Sequence, residues 1–219
     1  MHVSTTPLLG IIRVLTTSND DVLLEHERIL QQRYGLSSLT RCISDQYNGI
    51  FDDESETLAV PKILQLGREL VDAGCKALFL SCAADPGLAL LRATVAVPVV
   101  SAGSSAARVA AHLGLPVGVM GIGAAAPAPF RTLLGDHVPY GRPHGVTQTT
   151  DLLEPEGLQG AVDCAEVMMK AGARVIAFSC TGFSTIRLAP VLRERLGCVA
   201  IDAVDAAGMF AVEMMGISA

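Results

Sequence analysis

Residues 73–82 read AGCKALFLSC, and residues 171–180 read AGARVIAFSC. Each copy opens with Ala-Gly, where glycine supplies the left-handed stop of a helix. A continuous apolar run follows, without the alternation of a half-exposed strand, so it reads as a strand buried on both faces. Each copy closes on Ser-Cys, at the strand end where open α/β sheets bind ligands. An ordered match of this kind marks an internal repeat. Downstream, VPVVSAGSSAARVA (97–110) pairs with CVAIDAVDAAGMFA (198–211) in the same order. The chain therefore reads as two copies of one α/β unit.

Outward from these segments the pattern continues. Strands are expected at 10–15, 39–43, 77–81 and 97–100 in the first half, and at 117–122, 146–149, 175–179 and 199–201 in the second. Helices are expected at 20–34, 56–73 and 158–171, where apolar residues recur at helical spacing. The fold class is α/β: two pseudo-symmetric lobes, each a parallel sheet flanked by helices, with an active-site cleft between them. One lobe spans residues 1–102 plus a C-terminal helix within 204–219 and carries Cys82. The other spans 103–203 and carries Cys180. Lobes facing each other would set the two cysteines across one cleft.

Composition narrows the function class. Only 17% of residues are charged, the net charge is −6, and no basic run occurs, which argues against nucleic acid and anionic membrane surfaces as partners. No apolar stretch approaches the roughly 20 residues of a membrane span. The opening MHVSTTPLLGIIRVL lacks a basic leader and is interrupted by Arg13, so it reads as a first strand, and a cytoplasmic protein is expected. The six cysteines read as free thiols, and the absence of CxxC or Cys/His clusters gives no metal site. Cys42, Cys75, Cys164 and Cys198 read as small buried hydrophobes, and Met168 and Met169 as core filler. His2, His26, His112, His137 and His144 form no spacing pattern and read as surface or structural.

Cys82 and Cys180 differ from the rest because they occupy equivalent positions. After Cys82 comes Ala83-Ala84-Asp85-Pro86, with Asp85 placed to cap a helix and Pro86 to begin it. After Cys180 comes Thr181-Gly182-Phe183-Ser184. A thiol at a helix N-terminus is expected to have a lowered pKa. Racemisation needs a base on one face of a carbon acid and an acid on the other, and a thiolate facing a thiol supplies both. Backbone N–H groups beyond each cysteine would stabilise charge on oxygen. The small residues Ala83, Ala84 and Gly182 would let substrate approach the chain.

SCAADPGL (81–88), VPVVSAG (97–103), VGVMGIG (117–123) and SCTGF (179–183) resemble the aspartate/glutamate/hydantoin racemase superfamily, over nearly the whole chain. The Cys-x-x-Asp-Pro-Gly-Leu pattern is most similar to the hydantoin and allantoin racemase branch. The resemblance implies a two-lobed fold, no pyridoxal phosphate, metal or other cofactor, and one catalytic cysteine per lobe, matched by Cys82 and Cys180. It also implies a small-molecule substrate, a carboxylate or hydantoin-like compound, and a homo-oligomer. Arylmalonate decarboxylases of the superfamily keep only the second cysteine; both are present here, which favours a racemase or epimerase of an amino acid or derivative. Maleate isomerase relatives keep two, so cis–trans isomerisation stays open. Hydantoin racemases carry Asn-Pro-Asn after the first strand, where this chain has Arg13-Val14-Leu15-Thr16. Glutamate racemases carry Asn-Thr and Thr-His after their cysteines; here Ala83-Ala84 and Thr181-Gly182 stand there, so only Thr181 matches.

Further substrate-binding candidates lie at strand ends. Arg13, a charge in an apolar strand, reads either as an anion clamp or as half of an ion pair. Thr16 and Thr17 offer hydroxyls, and Asp45 and Gln46 could meet a substrate N–H or form a turn. Gly121 lies at the equivalent end in the second lobe, but Gly121-x-Gly123 is not completed to a dinucleotide motif because position 126 is Ala126. Two other classes remain: an isomerase or lyase with a covalent cysteine, and a non-catalytic two-lobed binder or dithiol redox sensor.

Overall fold

Apolar runs bounded by glycine stops give two sheets with the same plan. The computed structural model describes residues 8–216; residues 1–7 and 217–219, given to the first lobe above, lie outside the described residues. The first sheet contains β1 (Leu9–Arg13), β2 (Ser38–Cys42), β3 (Ala77–Ser81) and β4 (Val99–Ser101) in the order β2-β1-β3-β4. The second contains β5 (Val117–Met120), β6 (Tyr140–Gly141), β7 (Val175–Phe178) and β8 (Val199–Ile201) in the order β6-β5-β7-β8. All pairings are parallel. Each sheet therefore places its second and third strands side by side with the first, so that β3 and β7 are central and their C-terminal ends carry the cysteines.

Helices complete the layers. α1 (Asp20–Leu23), α2 (Glu25–Tyr34), α3 (Asp53–Asp72), α4 (Leu88–Thr94) and α5 (Ala102–His112) belong to the first half. α6 (Ala128–Leu134), α7 (Gly157–Lys170), α8 (Gly182–Thr185), α9 (Leu188–Leu196) and α10 (Ala203–Met215) belong to the second. α5 leaves the first sheet and packs on α6 and β7, while α10 leaves the second sheet and packs on α2 and β3. The contact is close because both helices present small residues: Ala102, Ala106 and Ala110 on α5, Ala203, Ala207 and Ala211 on α10. Alternate strand residues divide between layers. Ile11, Phe79, Val119 and Ala177 face this shared middle. Ile12, Leu78 and Leu80 face the outer helices of one lobe, and Met120 and Phe178 those of the other. The outer edges of both sheets are blunted alike: Arg92 Nη2 donates to Val99 O at 3.0 Å, and Arg193 Nη2 to Ala200 O at 2.9 Å.

Four expectations are corrected. The helix expected at 20–34 is two helices that break at Leu24. The helix expected from residue 56 begins at Asp53, because Asp52 and Ser55 form a reciprocal cap. Residues 146–149 form no strand. Pro143 and left-handed Gly145 turn the chain there, and β6 at Tyr140–Gly141 takes the place beside β5. Asp85 does not cap the helix that follows it, which starts only at Leu88 after left-handed Asp85 and Gly87. Its carboxylate instead accepts from the N–H groups of Gly103 and Ser104, both at 2.8 Å, and so caps α5.

That cap draws α5 onto the loop after Cys82. Gly103 has no room for a side chain: a Cβ would run into the carbonyl oxygen of Ala83. Gly103→Ala should lower stability by about 1–3 kcal/mol. A urea unfolding midpoint equal to wild type would contradict this packing.

Candidate active site

Cys82 directly follows β3, and Cys180 follows β7 by one residue, Ser179. Both line one cavity of about 40 Å³, together with Arg13, Ala83, Ala84, Thr149, Thr181 and Gly182. The two thiols are near enough for charge on Cys180 to disfavour charge on Cys82. Their surroundings repeat the pseudo-symmetry. The Gly182 N–H points to Cys180 Sγ at 3.4 Å, and the Ala84 N–H serves Cys82 in the same i+2 relation. A Cβ at Gly182 would lie 2.8 Å from Leu152 Cδ1 and 3.3 Å from Cys180 Sγ, so a side chain there would crowd the thiol.

The expected depression of the thiol pKa values is overturned. Burial pushes Cys180 up to about 11, against the pull of the Gly182 N–H, the Thr149 hydroxyl and Arg13. Burial pushes Cys82 higher still, and the charges of Cys180, Asp85 and Glu56 add to it. A one-turn helix such as α8 offers little dipole, and at Cys82 no helix begins. Desolvation therefore outweighs the donors at both sites. Burial thus keeps both cysteines protonated at neutral pH.

Arg13 ends β1, in register with Ser81 beside Cys82. Its side chain is buried, with 3% of the residue exposed. Nη2 reaches Thr185 Oγ1 at 3.5 Å, and Nη1 has no partner among the described residues. No carboxylate pairs with it among the described residues, so the ion-pair reading is not met. Burial pulls its pKa down to about 10, which still leaves it a cation at neutral pH.

His26 is the residue the sequence did not single out. It is fully buried in α2 and joins the two strand ends. Nδ1 lies 2.6 Å from Ser81 Oγ, and Nε2 lies 3.1 Å from Thr181 O and 2.9 Å from Thr185 Oγ1. A carbonyl only accepts, so Nε2 carries the hydrogen and Nδ1 accepts from Ser81. Burial, then Arg13, holds the imidazole well below its ordinary pKa, in the neutral form. The Thr181 hydroxyl closes the ring by donating to Ser81 O at 3.3 Å. The residue before Cys82 is thus tied to the residue after Cys180. A signal existed: His26 shares a helical face with Ile29 and Leu30.

The remaining candidates divide. Ala83, Ala84, Thr181 and Gly182 line the cavity; Thr16, Asp45, Gln46 and Gly121 do not. The Thr16 hydroxyl donates to Ile43 O at 2.6 Å and accepts from Gln46 N at 2.8 Å, which spends it on joining two loops. Asp45 is a left-handed turn residue. Gly121 gives space to Ser179 and Tyr140. Gln46 acts on the roof: its Nε2 holds Gly49 O and Ser55 O, each at 3.0 Å. The pinned loop meets the opposite lobe, where Thr149 N donates to Asn48 O at 3.2 Å and a Cβ at Gly49 would lie 2.5 Å from Thr149 Oγ1. Thr149 and Ile50, both lining the cavity, were missed because two loops distant in sequence bring them there. An outer chamber of about 650 Å³ shares Ile50, Ala84, Ile122 and Ser179 with the inner cavity and adds Glu56, Arg131 and Tyr140. A cavity of about 950 Å³ beside β6 and α7 touches neither Cys82 nor Cys180. Among the described residues no group of three or more His, Cys, Asp or Glu side chains is placed to hold a metal ion, and no helix is long and apolar enough to cross a membrane.

A family model described as Asp/Glu/hydantoin racemase matches residues 10–211. The chain belongs to that family. Membership makes it an enzyme of the racemase type, an isomerase. Among solved structures it is similar to the allantoin racemase of Klebsiella pneumoniae, at 21% identity and a TM-score of 0.76, covering 97% of this chain and 89% of that one. A glutamate racemase isoform of Bacillus anthracis gives 14% identity and a TM-score of 0.68, covering 96% and 82%. An arylmalonate decarboxylase gives 18% and 0.61, covering 97% and 94%. At these identities the likeness shows the shared two-lobed fold. No curated protein matches the chain in sequence.

Two outcomes follow for this family member. Alkylation of Cys180, followed by mass spectrometry, should be slow at pH 7 and quicken roughly tenfold per pH unit toward its pKa; fast, pH-independent labelling would contradict the burial effect. His26→Leu removes a buried partner from Ser81 and Thr181 and should cost about 1–3 kcal/mol in urea unfolding; an unchanged midpoint would contradict the tie.

Proposed function

We propose that this chain is a cofactor-independent racemase or epimerase of an amino acid or amino-acid derivative, with Cys82 and Cys180 as opposed bases. The carrying observation is that two thiols at equivalent strand ends line one cavity, each with a backbone N–H two residues on. Among the described residues the proposed lobes are 8–102 plus 204–216 and 103–203; the crossed packing of α5 and α10 supports this division.

In the reactive form one cysteine is a thiolate and the other a thiol. The thiolate takes the α-proton, and the bonding pair left on carbon moves into the adjacent carbonyl or carboxylate. The opposite thiol then gives its proton to the other face of the planar carbon. One thiol and one thiolate remain, exchanged between the lobes, and substrate of the opposite hand returns them. Negative charge moves from sulfur to oxygen within reach of the same guanidinium and N–H donors, in a water-poor site where such donors act strongly. The reacting carbon occupies the inner cavity, and its substituent extends toward the outer chamber.

Cys82→Ser and Cys180→Ser should each lower racemisation by about 10²–10⁴-fold, measured by polarimetry on variants with wild-type circular dichroism. Near-normal turnover in either would exclude the two-base reading. Both thiols are raised by burial, so the thiolate fraction grows with alkalinity. The rate at low substrate should therefore climb from pH 7 until the pH nears the Arg13 pKa of about 10, below the Cys180 pKa of about 11. A rate that falls over that interval would contradict a thiolate base.

A further inference from the structure

Among the described residues lining the inner cavity, Arg13 alone carries a charge at neutral pH; its companions there are thiols, hydroxyls and small or apolar side chains. It interrupts a strand that is otherwise apolar, LGII, with every residue buried. A guanidinium in that position is expensive to bury unless something answers its charge. Within the protein the Glu25 carboxylate acts on it only at a distance, being paired with Arg28 and Arg187. One long hydrogen bond to Thr185 is its polar contact, and the Nη1 donors are buried without a partner. Thr185 is itself engaged with His26 and Thr181, so it cannot follow Arg13 elsewhere.

The site's charge balance points the same way. Burial keeps both thiols protonated at neutral pH. The lining then carries one net positive charge, which a monoanion cancels and an uncharged ring does not. Position also fits. Arg13 pairs in register with Ser81, one residue before Cys82, so its head lies at the strand-end level of the sulfurs. A carboxylate oxygen accepting from Nη1 would hold the adjoining carbon in the cavity that both cysteines line, where the Arg13 charge already acts on Cys180.

We propose that Arg13 is the carboxylate receptor of this site, and that the substrate is an acid with a free carboxylate on the reacting carbon rather than an uncharged cyclic derivative. This rests on the two-cysteine reading and narrows its substrate class. The planar fork of arginine grips a carboxylate with two donors, so lysine is a partial substitute.

The test uses two planar probes of nearly equal shape, pyrrole-2-carboxylate and pyrrole-2-carboxamide, with calorimetry on the wild-type protein, Arg13→Lys and Arg13→Met. Wild type should bind the carboxylate at least about 10-fold more tightly than the carboxamide. Arg13→Met should lose about 10- to 100-fold of carboxylate affinity, the range of one charge-assisted hydrogen bond, with Arg13→Lys between. Equal binding of the probes, binding of neither, or carboxylate affinity unchanged in Arg13→Met overturns the proposal. If Arg13→Met does not fold, the wild-type comparison decides alone. A second arm follows α-hydrogen exchange in deuterated solvent with free amino acids, 5-substituted hydantoins and allantoin. Exchange of the neutral rings alone, lost in Cys82→Ser and Cys180→Ser, overturns the Arg13 proposal while leaving the two-cysteine reading. Exchange of free acids that survives both cysteine variants removes the two-cysteine reading and spares Arg13 as the receptor.

Discussion

Desolvation of two thiols and one guanidinium in a single small cavity is the constraint on which the site depends. Low polarity raises both thiols, which makes the free base scarce. It also makes each fixed donor worth more to a charge that forms there. The Gly182 and Ala84 N–H groups, the Thr149 hydroxyl and Arg13 are already in position, so no solvent must reorganise as charge moves from sulfur to oxygen. A site of this kind gives up reactivity toward chance electrophiles and reserves it for a carbon acid that fills the space.

Such a cavity works only if its width is fixed, and several features of the fold fix it. Crossed α5 and α10 carry small residues into the middle layer, so the sheets cannot slide without opening a packed core. Asp85 caps α5 and thereby fastens the loop after Cys82. His26 and Thr181 lace the strand ends together below the cysteines, while the Asn48–Thr149 contact joins the lobes above them. These ties come from both halves of the chain. The pseudo-symmetry is thus functional in geometry as well as in residue type: each lobe supplies one sulfur, one i+2 donor and part of the roof.

What could be read from sequence was local. The continuous runs of β3 and β7, their glycine stops and their terminal Ser-Cys pairs are contiguous, so the repeat and both cysteines were visible. Arg13 stood out as a charge inside an apolar strand. What escaped depends on contacts between distant segments. Asp85 looked like the cap of the next helix, yet its carboxylate serves a helix that starts at Ala102. Residues 146–149 have strand-like composition, but the turn set by Pro143 and Gly145 hands the edge position to β6. The thiol pKa values were expected on the wrong side because the neighbouring N–H groups are evident in sequence, whereas the burial that outweighs them comes from apolar side chains that several distant segments pack around each sulfur.

The central claim is that two sulfurs act on opposite faces of one carbon, and isotope placement tests it most directly. A single enantiomer of an accepted substrate is turned over in deuterated solvent and sampled at low conversion. Opposed bases predict deuterium at the α-carbon of the product enantiomer and almost none in recovered substrate. Equal labelling of both, or product that retains the original hydrogen, would mean that one base serves both faces.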